Sequence, residues 1–278
     1  MNVFIPLLIA SFSISISQLL NKTLSKKGHS PTTYTSITML SNALIAIPLL
    51  FIQPHFSQSI FIWVLIIASA TIYGLSSVLT FKAFKTTDVS IVSIIQRLSI
   101  AFISFMGITL LKESYTPKTI LGIVLIVASS IILVYKKTKK KIDTGILMSL
   151  GSAFFGAIAS ILDKKILFDF SPYSYVFVNN ALIGILFLFN KNTIKETPHL
   201  IKNHTMRMLG TSILNVLSFV VLLVVLKNTD VSQTMPVYKG LTLIITVLLG
   251  VLFLGEKSQM KQKILGTILG MIGIFLMY

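Results

Sequence analysis

Two side chains in this 278-residue sequence are out of keeping with their surroundings. Arg97 and Lys239 stand inside long apolar stretches, where a charge is costly unless it faces water or a partner. A charge so placed reads by default as functional. The guanidinium of Arg97 is a planar fork that matches a carboxylate or a phosphate with paired hydrogen bonds, and the ammonium of Lys239 is a mobile point charge. Together they could hold a small anion. Gln96 and Tyr238 adjoin the two cations, and Gln18, Tyr73, Ser76, Asn215 and Gln233 are further polar groups within apolar runs. All nine are candidates for contact with a substrate. Asn42 and Asn180 are read instead as groups that hydrogen-bond helices together, and Ser11, Ser13, Ser15 and Ser17 as small packing residues.

Other chemistries find no support. Cysteine is absent, which excludes disulfides, thiolate metal sites and a cysteine nucleophile. His29, His55, His199 and His204 all fall in polar connecting stretches, and no ligand spacing or catalytic motif accompanies them. No enzyme, cofactor or metal is expected. The eight acids (Asp88, Glu113, Asp143, Asp163, Asp169, Glu196, Asp230 and Glu256) lie at the ends of apolar runs or between them. None is expected near a midplane, so a bound anion would complete the site that Arg97 and Lys239 begin. A pathway without an acid or histidine also points to exchange or facilitated diffusion rather than proton symport.

The elements that hold these residues follow from composition. Apolar residues make up 54% of the chain and charged residues 12%, with a mean hydropathy of +0.88 and a net charge of +16. A soluble domain carries about a quarter of its residues charged, and a disordered chain is far less apolar. An all-α integral membrane protein remains. A span needs about 20 apolar residues. Runs bounded by charge, Pro or Asn give ten: 3–20, 32–52, 59–81, 89–111, 117–135, 144–162, 173–190, 205–226, 231–254 and 261–278. The longest polar stretches, 136–143 and 190–204, are too short for a soluble domain.

The sequence also repeats itself. Lys85-Thr86-Thr87-Asp88-Val89-Ser90 answers Lys227-Asn228-Thr229-Asp230-Val231-Ser232, and Leu121-Gly122 answers Leu265-Gly266. Asn21-Lys22, Ser30-Pro31 and Asn42-Ala43-Leu44-Ile45 answer Asp163-Lys164, Ser171-Pro172 and Asn180-Ala181-Leu182-Ile183. The halves are 1–138 and 139–278, with five spans each. An odd number inverts the second half, the architecture of alternating-access carriers with a midplane site. Arg97 and Lys239 each lie eight positions into their spans, roughly 12 Å deep from opposite faces. Each is then a few ångströms from the centre, at equivalent places in the two halves. The shared Thr-Asp-Val-Ser is expected to cap spans 4 and 9 through Thr or Asp, and Glu113 and Glu256 to anchor the loops that follow.

Ten spans as five plus five, with MPVYKGLTLIITVLLGVLFLGEK at 235–257 and its weaker counterpart SIIQRLSIAFISFMGITLLKE at 93–113, resemble the drug/metabolite transporter superfamily, in particular its EamA-type members. The resemblance covers essentially the whole chain. It implies a carrier of small organic solutes with a cavity lined mainly by spans 1, 3, 4, 6, 8 and 9. Two positions depart from that pattern. The proline usual early in span 9 is Pro236, but its span 4 counterpart is Ile94; Arg97 and Lys239 stand where the family is commonly apolar or small.

The reading is a secondary carrier of an anionic or zwitterionic metabolite in the cytoplasmic membrane of a bacterium or archaeon. An exporter of cationic or neutral drugs or amino acids, and a pore-type channel, are the alternatives. Its partners are the small-molecule substrate and membrane lipid. The lysine run at 136–141 reads as a determinant of topology and not as a nucleic-acid site. Seventeen of the 24 basic residues fall in odd-numbered connections and five in even ones, which places both termini outside. The resembled family more often has both inside; the short loops and the large asymmetry favour the count. Gly266-Thr267-Ile268-Leu269-Gly270 packs helices closely, within a monomer more often than across a homodimer.

Overall fold

The structure, a computed structural model, describes residues 3–25, 28–111, 116–137, 144–255 and 260–276. Glu113, Glu256 and most of the lysine run lie outside these, as do the side chains of Ser232 and Gln233. The described residues form eleven α-helices and no strand. These are α1 (Phe4–Ser25), α2 (Pro31–Ala46, continued by a 3-10 turn Ile47–Phe51), α3 (Ile60–Thr86), α4 (Val89–Gln96), α5 (Leu98–Leu111) and α6 (Pro117–Lys137). The second half holds α7 (Thr144–Ile166), α8 (Pro172–Leu188), α9 (Lys191–Asn228), α10 (Val231–Leu254) and α11 (Met260–Leu276). Seven segments are long and apolar enough to cross a membrane, α4 and the start of α5 counting as one, and Pro172–Leu188 and Ile120–Ser129 are shorter apolar stretches. Helix α11 has 17 residues and carries Lys261 and Lys263.

Local chemistry sets many of the helix ends. Pro31 and Pro172 open α2 and α8, where the missing N–H of proline costs nothing. Ser30 caps α2 by accepting from the Thr33 amide at 3.2 Å, and Gly255 closes α10 in the left-handed conformation at φ 63°. Of the Thr or Asp expected to cap α4 and α10, Asp88 and Asp230 occupy the N-cap positions, without a side-chain cap hydrogen bond. The Asp88 carboxylate turns instead to Lys263 Nζ on α11, at 3.1 Å. It still places a negative charge at a helix N-terminus.

The stretch 190–204, expected as a connection, is helical and gives α9 its 38 residues. Asn190 starts it by accepting from the Asn192 amide, and Pro198 falls inside it. What sustains it is one-sided burial: Leu200 and Met208 pack with Leu24, Tyr34 and Phe84. Glu196 on this extension accepts from the Ser30 amide at 2.6 Å and from Thr33 Oγ1 at 2.8 Å, so α9 reaches back to cap α2. His199 and His29 meet beside it, nitrogen to nitrogen at 3.2 Å.

Packing follows a two-fold rule that exchanges the halves. Helix α1 lies against α9 and α10, as α7 lies against α3 and the α4–α5 pair. Helices α2 and α8 pair with each other, and so do α6 and α11. In lipid, apolar burial drives no helix association, so close contacts and interhelical hydrogen bonds must hold the bundle. Ser11 and Ser15 donate to the carbonyls of Tyr238 and Thr242 on α10, while Ser17 donates to Asn215 Oδ1 on α9 at 2.6 Å. Residues at alternate positions thus serve two neighbours of one helix. The Asn42 amide donates to Asn180 Oδ1 at 3.1 Å, joining α2 to α8 at equivalent positions of the two halves. The glycine face of α11 is spent inside the chain: a Cβ on Gly273 would stand 2.6 Å from the Gly122 carbonyl oxygen on α6.

Lys22 and Lys164, read from sequence as loop charges, form another equivalent pair. Lys22 donates to the carbonyls of Phe84 and Thr87 at the end of α3 and is 5% exposed. Lys164 donates to the carbonyls of Leu226 and Thr229 at the end of α9, at 2.9 and 2.8 Å. Each ammonium satisfies orphan carbonyls and meets the negative end of the helix dipole. Replacing either by Met should lower stability by about 2–3 kcal/mol, the worth of hydrogen bonds to a charged group. Unfolding of purified protein in detergent measures this, and an unchanged midpoint would show that water takes over the role.

A pH dependence follows from His29, in the connection before α2. Burial holds its imidazole below the ordinary 6.5, with His199 and Lys85 pushing the same way and Glu196 opposing them. The unfolded chain therefore takes up this proton at higher pH than the folded one. Stability contributed here is present above 6.5 and falls as pH drops from there towards the folded value. The midpoint of thermal unfolding should decline on acidification through that window, and His29→Gln should flatten the decline.

Candidate functional site

A cavity of about 320 Å³ runs through the middle of the bundle. Its wall takes side chains from α1, α2, α3, the α4–α5 junction, α7, α8, α9 and α10. The six spans implied by the resemblance all contribute, and α2 and α8 add Thr38, Asn42, Asn179 and Asn180. The volume is at the small end of ligand pockets.

Eight of the nine residues singled out from sequence line this cavity: Gln18, Tyr73, Ser76, Gln96, Arg97, Asn215, Tyr238 and Lys239. Gln233 lies in α10 with a side chain outside the described residues. Arg97 occupies a break that the sequence reading did not foresee. The span expected at 89–111 is interrupted between α4 and α5, where the Arg97 amide bonds Ile94 O at 3.1 Å and the Ile100 amide bonds Arg97 O at 2.8 Å. These are three-residue closures, tighter than those of an α-helix. Ser99 Oγ donates to the Gln96 carbonyl at 2.6 Å. No glycine or proline marks the place. The second-half counterpart, α10, runs unbroken through Pro236.

Arg97 is 5% exposed, and its Nε has no hydrogen-bond partner among the described residues. Neither Arg97 nor Lys239 has a carboxylate within salt-bridge distance among those residues. The two cations line the same cavity. No Asp or Glu lines the cavity among the described residues. The site holds a half-buried lysine and a buried arginine, in a wall that combines amides and hydroxyls with apolar side chains such as Ile14, Phe81, Phe219 and Met235.

That wall is cross-linked. Gln96 donates to Thr80 Oγ1 at 3.0 Å and to Ser152 Oγ at 3.1 Å, linking α4 to α3 and α7. Ser76 donates to the Ser152 carbonyl, Tyr238 Oη meets Ser218 Oγ at 3.1 Å, and Gln18 Oε1 accepts from Ser93 and Thr246. Donors and acceptors are thus fixed in direction before any ligand arrives, which lowers the ordering cost of binding. Ser99, Ser152, Ser160, Ser218, Thr38, Thr80 and Thr242 also reach the cavity. Nothing in the sequence separates them from hydroxyls that only pack helices. Among the amides, Asn21 and Asn179 were overlooked, and Asn42 and Asn180, read only as groups that join helices, line the cavity as well.

One expectation about the acids is overturned. Asp163, placed by sequence at a span end, is fully buried and sits beside Tyr73, the middle residue of the 27-residue α3. Helices α7 and α3 run antiparallel in contact, with Gly145 against Thr86 and Thr87 and Ser152 against Ser76 and Thr80. Continuing that register carries Asp163 deep into the bundle, because α3 extends beyond the end of α7. Tyr73 Oη and Tyr175 Oη each donate to its carboxylate at 2.6 Å, and Ser69 Oγ at 3.3 Å. The sequence reading counted residues along α7 alone and could not see the offset.

Comparisons agree with this architecture. A solved structure titled "Crystal structure of protein" superposes with a TM-score of 0.68 at 14% identity, covering 98% of this chain and 95% of its own. At that identity the likeness speaks for the fold. No curated protein matches the sequence. The EamA-like transporter family matches it twice, over residues 2–135 and again over 143–278. Both halves carry the signature, and the helices are long and apolar enough to span a membrane: the chain is a multi-pass membrane protein that belongs to the EamA-like transporter family.

Proposed function

We propose that this chain is a secondary carrier of a small anionic or zwitterionic metabolite bearing a carboxylate or phosphate. One observation carries the reading: the equivalent residues Arg97 and Lys239 line one cavity that has no acid of its own among the described residues. Two neighbouring cations in a confined space repel each other, and an anion between them removes that repulsion while adding charge-assisted hydrogen bonds. A cationic solute would add a third like charge, so cationic drugs fit this wall poorly.

The architecture in this proposal is ten spans as two inverted five-helix repeats, 1–138 and 139–278. The α4–α5 pair counts as one span, and the short α8 and α11 count as spans because each pairs with a helix of the other half. Rocking of one repeat against the other would expose the central cavity to each side in turn, which favours a carrier over an open pore. The setting is a bacterial or archaeal cytoplasmic membrane. Exchange or facilitated diffusion was favoured by the supposed lack of a buried acid; Asp163 removes that premise.

Purified protein should be stabilised by carboxylated or phosphorylated metabolites and not by organic amines in a thermal-shift series, since a ligand of the folded state raises its stability. Arg97→Gln combined with Lys239→Gln should weaken that response and liposome counterflow by about 30-fold or more, equivalent to about 2 kcal/mol. Stabilisation by amines alone would overturn the reading. Arg97 should also be costly to the empty protein. Arg97→Met is expected to raise ligand-free stability by about 1 kcal/mol or more, because it replaces a buried, unpaired charge with an apolar side chain. A drop in stability would assign Arg97 to the scaffold instead.

A further inference from the structure

Asp163 is, among the described residues, the one buried carboxylate, and the anion site leaves it unexplained. It is fully buried, and no cation lies within salt-bridge reach of it among the described residues. Its own neighbour Lys164 is committed to the carbonyls of Leu226 and Thr229. Among the described residues, every hydrogen-bond partner of the carboxylate is a hydroxyl: Tyr73 on α3, Tyr175 on α8 and Ser69 on α3. Ser69 Oγ and Tyr175 Oη also meet each other at 2.9 Å. From α9, Phe219 packs its ring against both tyrosines, with centroids 6.0 and 6.3 Å away, and brings no charge. Arg97 and Lys239 line the cavity that Tyr73 also reaches.

A hydroxyl differs from a cation in what it permits. An arginine or lysine partner would hold the carboxylate ionised, whereas a hydroxyl can donate to a carboxylate and can also turn to accept from a carboxylic acid. A cradle of three hydroxyls therefore accommodates Asp163 with or without a proton. The repeat supplies a second, independent indication. The equivalent of Asp163 in the first half is Asn21, a neutral amide of the same size and shape, which lines the cavity from α1. The fold thus holds a neutral planar group at this position in one half. A protonated Asp163 would restore that match in the other.

Tyr73 connects the two sites. Its side chain lines the cavity while its hydroxyl donates to Asp163, and Ser160, one turn earlier on α7, also reaches the cavity wall. We propose that Asp163 is a proton-binding site of this carrier, coupled to the substrate cavity through Tyr73. A proton arriving from the cavity forms an O–H bond on the carboxylate, and the charge of the site goes from −1 to zero. The Tyr73 hydroxyl then has an oxygen that can donate to it, and its own O–H is released towards the cavity. Proton occupancy would therefore change both the charge and the donors that a solute beside Arg97 meets. This rests on the chain being a carrier, and not on the charge of what it carries.

The test reads the proton itself and needs no identified solute. Infrared difference spectra of the full chain in lipid vesicles, recorded as pH is stepped, should show the carbonyl stretch of a protonated carboxylic acid growing as pH falls. Asp163→Asn should abolish that band, and Tyr73→Phe and Tyr175→Phe should shift its frequency by removing a hydrogen bond. Arg97→Gln should leave the band in place, so failure of the anion site and failure of the proton site are distinguishable. If Asp163→Asn does not fold, the two Tyr→Phe shifts decide. Absence of the band at every pH at which the protein stays folded, or a band indifferent to all three changes, would make Asp163 a permanently ionised structural anion and overturn the proposal.

Discussion

The absence of water along the outer surface constrains everything else in this molecule. Hydrocarbon offers no partner to a polar group, so each amide, hydroxyl or charge within a span must find one inside the bundle. The outward faces are accordingly bare apolar surface, with Phe4, Phe61, Phe105, Phe253 and Phe275 all exposed. The inward faces carry the serines, threonines and asparagines, and these meet across helices. A cavity with such groups in its wall follows directly: where two halves pack through faces that carry polar side chains, some of those side chains line the space between them. The scaffold and the site are built from the same side chains.

Much of this was legible in the sequence, for a definite reason. Spans announce themselves by length and hydropathy, so nearly every helix lies where a run of apolar residues ends at a charge or a proline. Helix α10 begins and ends at the expected residues, 231 and 254. Cavity residues were legible because polarity inside an apolar run is rare, and eight of nine candidates line one wall. What escaped depends on the partner. The first turns of α9 read as polar from their own residues, and only Leu24, Tyr34 and Phe84 elsewhere give Leu200 something to pack against. The break at Arg97 has no glycine or proline to mark it. The depth of Asp163 is a property of how α7 slides along α3, which no single helix encodes.

The basic residues show how a count can be right for mixed reasons. Lys22, Lys164 and Lys263 are held by carbonyls or by Asp88 and belong to the scaffold, not to the loops that report orientation. Removing them leaves the excess in odd-numbered connections large, so the orientation argument survives. Their role is nonetheless different from what a charge tally assigns. Lysine at a helix C-terminus satisfies carbonyls that lipid would leave orphaned, and the repeat uses this device once in each half.

The repeat also shows where the two halves are free to differ. Asn42 and Asn180 are identical and bond to each other across the exchange of halves, as a residue near a two-fold axis can. Lys22 and Lys164 are identical because each half must finish a helix in the same way. Equivalent positions at the cavity or beside it are not identical: Arg97 answers Lys239, and Asp163 answers Asn21. A scaffold contact duplicated by symmetry must keep its chemistry in both halves or lose one of them. A cavity is shared, so one copy of a charge serves both repeats, and its mate can take up a different task. Inverted repetition thus separates residues by constraint: the matched pairs hold the bundle together, and the mismatched pairs set the electrostatics of the space that a solute would enter.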